Sequence, residues 1–255
     1  MIIPHQETET IREALKQYGY AITSPLADKK IVRTTLQTIR ETMVGIPDNP
    51  TLGASPEDIL GNYQKLCVGG VFESSIYRPR LLRIGYSPFW AEDLYGMHEL
   101  GRIFAEFRNR ILGLPDSFAI DEIENDRRYS ALRFQHYPKG GGFLVKHRDI
   151  VNVANNEHHK FEEFVQFLLP LTVKGEDYSI GGGFLFDRNN CEVDVDSTCP
   201  LGGVIIYSGT MLHGVREIDP QYPFLPFHSA GRIVMMASLF KKFDSSERSR
   251  YKRIR

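Results

Sequence analysis

From Tyr129 onward the sequence is a series of short β-type runs, and this pattern limits the possible fold more than any other feature. Glycine, asparagine, aspartate or proline punctuates most of the gaps, and 11 of the 22 glycines lie between Gly140 and Gly214. Closely spaced short strands are typical of an antiparallel sandwich or barrel, not of alternating strands and helices. The predicted strands are Ala131–Tyr137, Phe143–Lys146, Phe164–Val173, Gly183–Phe186, Val204–Tyr207 and Arg232–Phe240.

The first half of the chain has helical periodicity instead, with apolar residues at three- and four-residue steps. Its predicted elements are a helix capped by Thr8 and stopped by Gly19, a strand at Tyr20–Ile22, a helix from Asp28 to about Val44, and a helix opened by Ser87-Pro88 and ended by Gly113. The Gly-, Pro- and Asn-rich stretch Gly45–Ser87 favours no single element. We therefore expect one α+β domain, with flanking helices in 1–128, a β-core in 129–241 and a tail in 242–255.

Size and charge exclude several classes of protein. A chain of 255 residues can bury a core without disulfide bonds. Its 31 basic and 32 acidic residues give a net charge of −1, so we expect no nucleic-acid partner. Three cysteines are too few for a disulfide framework and fit a reducing compartment. The N-terminus lacks a signal-peptide pattern and no apolar run is long enough to span a membrane, so we expect a cytoplasmic protein.

The C-terminal tail differs in charge from the rest of the chain. Residues 241–255 carry seven basic and two acidic side chains, a net charge of +5, which leaves −6 for the remainder. A solvated, frayed end is one interpretation of this segment. Contact with an anionic partner is the other.

Two histidines and one aspartate form a candidate metal site. H-x-[D/E] occurs twice, and composition alone predicts about one match, so the motif is uninformative without its context. His147 and Asp149 follow a predicted strand, and side chains two residues apart on a strand point to the same face. His213 follows another strand and a glycine turn. Two imidazoles and a carboxylate cover one face of an octahedral ion, as in non-heme Fe(II) oxygenases, although zinc hydrolases use the same ligand types.

The order and spacing of these segments resemble the 2-oxoglutarate and Fe(II)-dependent dioxygenases. Arg133–Gly140 leading to His147–Asp149 resembles that family's "Y-P-x-G … H-x-D" segment. Gly181–Phe186 is similar to its "G-G-x-L-x-F" strand, and Gly202–Val215 is similar to its segment with the second histidine. Gly231–Phe240 resembles the strand that carries its basic residue. The resemblance covers residues 129–241.

This resemblance implies a double-stranded β-helix, or jelly roll, with N-terminal flanking helices. It implies that His147, Asp149 and His213 hold Fe(II), with 2-oxoglutarate and O₂ as cosubstrates. The implied reaction hydroxylates a C–H bond of a small polar metabolite, an amino acid or biosynthetic intermediate, and releases succinate and CO₂. The alternative is a cupin-like jelly roll that binds metal without oxygenase activity.

The resemblance also implies two cosubstrate contacts. Arg232 would pair with the distal carboxylate of 2-oxoglutarate, and the hydroxyl of Tyr137 would contact the same molecule. Arg232 lies 19 residues after His213, further than is usual in the family, and Glu217–Ala230 between them has the composition of an inserted loop. Arg216 is therefore the competing candidate, but β-forming residues flank Arg232 and a strand would hold it more rigidly.

Three polar residues are candidates for contacts with the primary substrate. Arg133 and Gln135 alternate with Tyr137, so all three share one face of their strand. The period of two does not say whether that face is inside the barrel. Gln166, within an apolar run, is a further candidate.

Overall fold

The computed structural model describes residues 2–49, 60–69, 79–149 and 165–242. Within these ranges it contains eleven strands and four helices. In chain order the elements are α1 (Thr8–Tyr18), β1 (Tyr20–Ile22), α2 (Lys29–Met43), β2 (Tyr63–Gly69), β3 (Arg80–Pro88), α3 (His98–Leu112), β4 (Arg128–Pro138), β5 (Gly142–His147), β6 (Val165–Pro170), β7 (Gly182–Phe186), β8 (Glu192–Asp194), α4 (Val195–Thr198), β9 (Ile205–Ser208), β10 (His213–Ile218) and β11 (Gly231–Lys241).

The strands form one curled antiparallel sheet. Its hydrogen-bonded order is β1-β9-β6-β11-β4-β3-β5-β10-β7-β8, and β2 pairs with β3 outside this path. The sheet curls so that β10 and β7 face β9 and β11: the ring of His213 lies 4.8 Å from that of Tyr207. This is a jelly roll with helices before its core, and the predicted α+β fold class is confirmed.

The predicted elements recur with three differences. Ser87 and Pro88 end β3, where they oppose Leu132 and Ala131, and do not open a helix. The helix α3 begins at His98 instead, because the carboxylate of Asp93 accepts the backbone N–H groups of Met97 and His98. Segment 1–128 also contributes three strands, so the sheet extends beyond the β-core predicted for 129–241. Thr8 is the first helical residue of α1 and makes no side-chain cap.

Some predicted regions lie partly outside the described residues. The structure does not describe Phe164, the first residue of the predicted strand Phe164–Val173, or residues 243–255 of the basic tail. The part of Gly45–Ser87 that is described contains β2 and most of β3, which pair with each other over seven residues. Among the helices described, none is long and apolar enough to cross a membrane.

The larger hydrophobic core lies between the helices and the outer face of the sheet. It joins apolar side chains of α1, α2 and α3 to those of β4, β6, β9 and β11. The helix α3 lies close to β4 at Gly101, where an added Cβ would be 2.2 Å from a methyl carbon of Leu132. Leu132 is itself fully buried in this core, so a side chain added at position 101 would have to displace packed core atoms.

We expect Gly101→Ala to destabilise the protein although alanine is the better helix former. Overpacking a core costs about 1–3 kcal/mol, and the gain in helix propensity is about 1 kcal/mol. The expected net loss in the free energy of unfolding is therefore up to about 2 kcal/mol. Urea denaturation measures it. Gly61→Ala, where an added Cβ meets nothing within 4 Å, is the control and should be neutral; a neutral Gly101→Ala would contradict the close packing.

The predicted inserted loop between β10 and β11 is fixed to the outside of the sheet by a buried polar cluster. Arg83 forms an ion pair with Asp48 at 2.8 Å and donates to the carbonyl of Pro226 at 2.8 Å. His136, also buried, donates its Nε2 hydrogen to the carbonyl of Ala230 at 3.0 Å. Burial lowers the pKa of His136 to about 3, with the charge of Arg83 acting in the same direction.

This histidine should make stability depend on pH. Because its folded pKa is lowered, its contribution is present above the unfolded pKa of about 6.5 and is lost as the pH falls toward 3. Between pH 7 and pH 5 the expected loss is about 2 kcal/mol in the free energy of unfolding. Denaturation at both pH values should show a smaller loss for His136→Gln than for the wild type. Equal losses in the two proteins would refute the assignment.

Candidate metal centre

The pairing of β5 with β10 brings the candidate metal ligands together. His147 is the last residue of β5, His213 is the first of β10, and the two are direct partners in the antiparallel register. Asp149 lies two residues beyond His147, and its backbone N–H donates to the carbonyl of Gly209 at 2.8 Å. The three residues therefore sit at one end of the same pair of strands.

The three side chains converge on one point. His147 Nε2 lies 3.5 Å from Asp149 Oδ1, and His213 Nε2 lies 3.6 Å from Asp149 Oδ2. One ligand atom from each residue can be chosen so that all lie within 4.8 Å of one another. Two nitrogens and one carboxylate oxygen at this spacing can bind a divalent ion through one face and leave the opposite positions open.

Backbone carbonyls fix the orientation of both imidazoles. His147 Nδ1 lies 2.8 Å from the carbonyl of Val145, and His213 Nδ1 lies 2.8 Å from the carbonyl of Met211. A carbonyl can only accept, so each Nδ1 carries the hydrogen and each Nε2 keeps its lone pair. This is the arrangement that outer contacts impose on metal-binding histidines.

Asp149 is a buried carboxylate with a side-chain partner of its own. Gln166 Nε2, on β6, donates to Asp149 Oδ2 at 3.1 Å. Burial raises the pKa of Asp149, but the neighbouring imidazoles of His147 and His213 and the hydrogen bond from Gln166 outweigh burial, and the pKa falls to about 2. Asp149 is therefore an anionic ligand at any pH near neutrality. Gln166, predicted as a substrate contact, lines the cavity and also contacts a candidate metal ligand.

The two predicted cosubstrate residues lie side by side. Arg232 on β11 opposes Tyr137 on β4, and its guanidinium carbon lies 5.3 Å from the centre of that ring. Both side chains are buried and line the cavity that contains the three metal ligands. The competitor Arg216 is exposed, pairs with Glu192 and stacks on Phe184. Of the two arginines, only Arg232 lines this cavity.

The inner face of β4 contains the other two candidates. Arg133 and Gln135 line the same cavity as Tyr137, so the face left open by the sequence is the inner one. Gln135 Oε1 accepts the hydroxyl hydrogen of Tyr137 at 3.1 Å. Arg133 Nε lies 3.2 Å from the sulfur of Met236, and its guanidinium also donates to the hydroxyl of Tyr86.

The cavity has a volume of about 130 Å³ and a mixed lining. Its polar groups are the metal ligands, Gln166 and the side chains of β4 and β11 described above. Apolar side chains form the remaining walls, among them Leu168, Leu185, Val195, Ile205 and Met236. Such a lining, apolar with a few convergent polar groups, is typical of a small-molecule site.

Sequence reasoning missed two residues of this site. Tyr207 on β9 lines the cavity beside His213, and burial raises its pKa well above the usual value, so it stays a protonated phenol. Its alternation with Ile205 within a predicted strand could have revealed it. Asp196 in α4 pairs with Arg232 inside the wall, and no pattern in the sequence marks it.

The structure, but not the sequence, has matches among known proteins. Neither a protein-family model nor a curated protein matches the chain. The Pseudomonas putida prolyl-4-hydroxylase is similar in structure, with 15% identity, a TM-score of 0.55, and coverage of 92% of this chain and 100% of that one. A Trichoplax adhaerens prolyl hydroxylase, solved with a peptide of hypoxia inducible factor, has 16% identity, a TM-score of 0.51 and coverages of 96% and 92%.

A third protein of similar structure is an epimerase and not a hydroxylase. The non-heme α-ketoglutarate-dependent epimerase SnoN of nogalamycin biosynthesis has 11% identity, a TM-score of 0.52, and coverage of 92% of this chain and 83% of that one. At such low identity these similarities establish a shared fold. They confirm the double-stranded β-helix expected from the sequence, and the chemistry depends on the residues of this chain.

The residues present fit both a divalent metal and a carboxylate-bearing ligand. The donor set is two Nε2 lone pairs and one carboxylate, all on a cavity wall. Arg232 Nη1 is buried and has no hydrogen-bond partner among the described residues. A buried donor without an acceptor is costly, and a ligand oxygen in the cavity would satisfy it.

We expect Gln166→Leu to weaken metal binding because Gln166 is the side-chain amide that holds Asp149. Loss of such an outer contact costs about 10- to 100-fold in metal affinity. Titration of the apoprotein with Mn²⁺, followed by calorimetry, measures the change. Gln135→Leu alters the same cavity without touching a ligand and should bind Mn²⁺ like the wild type. Similar losses in both variants would show that Gln166 has no special role.

Proposed function

We propose that this protein is an Fe(II)- and 2-oxoglutarate-dependent oxygenase that hydroxylates a C–H bond of a small polar metabolite. The observation that carries the proposal is the triad of His147, Asp149 and His213 in a cavity that also contains the buried, partly unsatisfied guanidinium of Arg232. The fold shared with two prolyl hydroxylases and an α-ketoglutarate-dependent epimerase supports it.

Each residue of the site would have a distinct role. His147, Asp149 and His213 would hold Fe(II), with the carbonyls of Val145 and Met211 keeping each imidazole in the binding tautomer. Iron and 2-oxoglutarate, when bound, supply the oxidation, in which O₂ converts 2-oxoglutarate to succinate and CO₂ and hydroxylates the substrate.

Arg232 and Tyr137 would receive the distal carboxylate of the cosubstrate. Burial raises the pKa of Tyr137 to about 12, so its hydroxyl remains a neutral hydrogen-bond donor. The guanidinium is a rigid, permanently charged donor set and suits a buried carboxylate better than an ammonium group. The apolar side chains of Leu168, Val195 and Ile205 line the same cavity.

The polar side chains of the cavity wall favour a polar substrate. Arg133 lines the cavity, and among the described residues no carboxylate pairs with it, so its guanidinium is available to a polar or acidic group. An amino acid or a biosynthetic intermediate, encountered in the cytoplasm, fits these properties.

Anaerobic titration tests the assignment directly. With Fe(II) bound, 2-oxoglutarate should produce a weak visible charge-transfer band, and in air the protein should release succinate. His147→Ala should lose both signals because it removes a ligand. His98→Ala, on α3 outside the cavity, should keep both. A wild-type protein that binds Fe(II) but shows neither band nor succinate would be a metal-binding jelly roll of the cupin-like type, and the proposal would fail.

A further inference from the structure

Asp196 is a carboxylate buried in the cavity wall whose hydrogen bonds all go to the arginine or its surroundings. Its Oδ2 accepts from Arg232 Nε at 2.6 Å, from the hydroxyl of Tyr178 at 2.6 Å and from the backbone N–H of Gly183 at 2.6 Å. Its Oδ1 accepts from Arg232 Nη2 at 2.8 Å. The side chains of Asp196 and Arg232 are 4% and 2% exposed, so solvent does not screen the pair.

This pairing uses only one edge of the guanidinium. Arginine has five N–H bonds, and the edge formed by Nε and Nη2 supplies two of them to Asp196. Three N–H bonds remain, one on Nη2 and two on Nη1, and Nη1 has no partner among the described residues. Since Arg232 lines the cavity and its other edge faces Asp196, Nη1 is the nitrogen left for a ligand.

The glycines of β7 make room for this pair. A Cβ on Gly183 would lie 2.7 Å from Arg232 Nη2 and 3.1 Å from Asp196 Oδ1. Gly182 has a φ of +116°, and a Cβ there would lie 2.8 Å from Asp196 Oδ2. The strand backbone is therefore shaped to hold the carboxylate and the guanidinium in one arrangement.

We propose that Asp196 is a positioning residue for the cosubstrate: it fixes Arg232 by one edge so that Nη1 selects the distal carboxylate of a 2-oxo dicarboxylic acid of one length. This inference rests on the proposed function. In this proposal Asp196 does not contact the cosubstrate. It affects cosubstrate binding through Arg232.

Two physical consequences support selection by length. First, two hydrogen bonds hold the guanidinium in one orientation. Its free N–H groups therefore stay at a fixed distance from the metal ligands. Second, Asp196 neutralises the charge of Arg232, so a ligand carboxylate gains mainly from well-aligned hydrogen bonds and not from net charge. Hydrogen bonds depend steeply on geometry, and one extra methylene displaces the carboxylate from them.

Asp196→Asn tests the proposal through binding, independently of turnover. The probes are 2-oxoglutarate and 2-oxoadipate, which is longer by one methylene, titrated anaerobically into the Fe(II) protein. The wild type should prefer 2-oxoglutarate. In the variant the amide cannot accept from both Nε and Nη2, the guanidinium is released, and the ratio of the two dissociation constants should fall by about tenfold.

The control separates positioning from stability. Asp219 is also a buried aspartate, but it accepts the backbone N–H groups of Ser179 and Ile180 and does not touch Arg232. Asp219→Ala removes the acceptor of both N–H groups, so it should lower the melting temperature and keep the binding ratio of the wild type. If Asp196→Asn also lowers only the melting temperature and keeps the ratio, Asp196 is merely structural and the inference is overturned.

A buried arginine without its partner is strongly destabilising. If Asp196→Asn does not fold for this reason, a second variant tests the inference. Asp196→Glu keeps the charge, and its extra methylene shifts the guanidinium, so the ratio should change here too. An unchanged ratio in folded Asp196→Glu would refute the inference. Failure of the wild type to bind 2-oxoglutarate would instead refute the proposed function, so the two failures are distinguishable.

Discussion

The site depends on the double pairing of β10 in the curled sheet. This strand pairs with β5 on one side and with β7 on the other. The first pairing sets His213 opposite His147, and the second sets Val215 opposite Gly183, next to the guanidinium of Arg232. A slip of one residue would turn each of these side chains to the other face. The register of one short strand thus places the two histidine ligands opposite each other and sets the position of β7, whose Gly183 lies against Arg232.

Four buried clusters around charged side chains, all among the described residues, have distinct roles. Arg83 pairs with Asp48 behind the sheet, where it fixes the loop before β11. Arg232 pairs with Asp196 in the cavity wall, and Asp149 lies between two histidines. Among the described residues Arg108 has only neutral partners, the carbonyl of Ala237 and the side chains of Asn109 and Ser130, and burial lowers its pKa to about 9. The first and last of these clusters organise the fold, and the other two line the cavity.

What the sequence could predict followed from short-range patterns. The strands of the core and the helices α1 and α2 have clear periodicity, and the triad follows from two strand ends. The pair β2 and β3 lies in a Gly- and Pro-rich stretch without a period, and the start of α3 depends on the carboxylate of Asp93. Asp196 was not predictable, because its role comes from a contact with a residue 36 positions later that forms only when the sheet curls. The sequence also did not show which face of β4 lies inside the barrel, because the curl of the sheet decides it.

The charges of the cavity bear on the nature of the substrate. Among the described residues, Arg133 and Arg232 line it with two positive charges; Asp149 in the lining and Asp196 behind Arg232 supply two negative ones. Metal-binding histidines are neutral, so a divalent ion would add two positive charges and a doubly ionised 2-oxo acid would cancel them. A substrate that then enters meets no net charge but does meet the guanidinium of Arg133. A molecule that is neutral overall and has an acidic group, as an amino acid is, suits that environment better than a polyanion, which would bring uncompensated charge into an enclosed site.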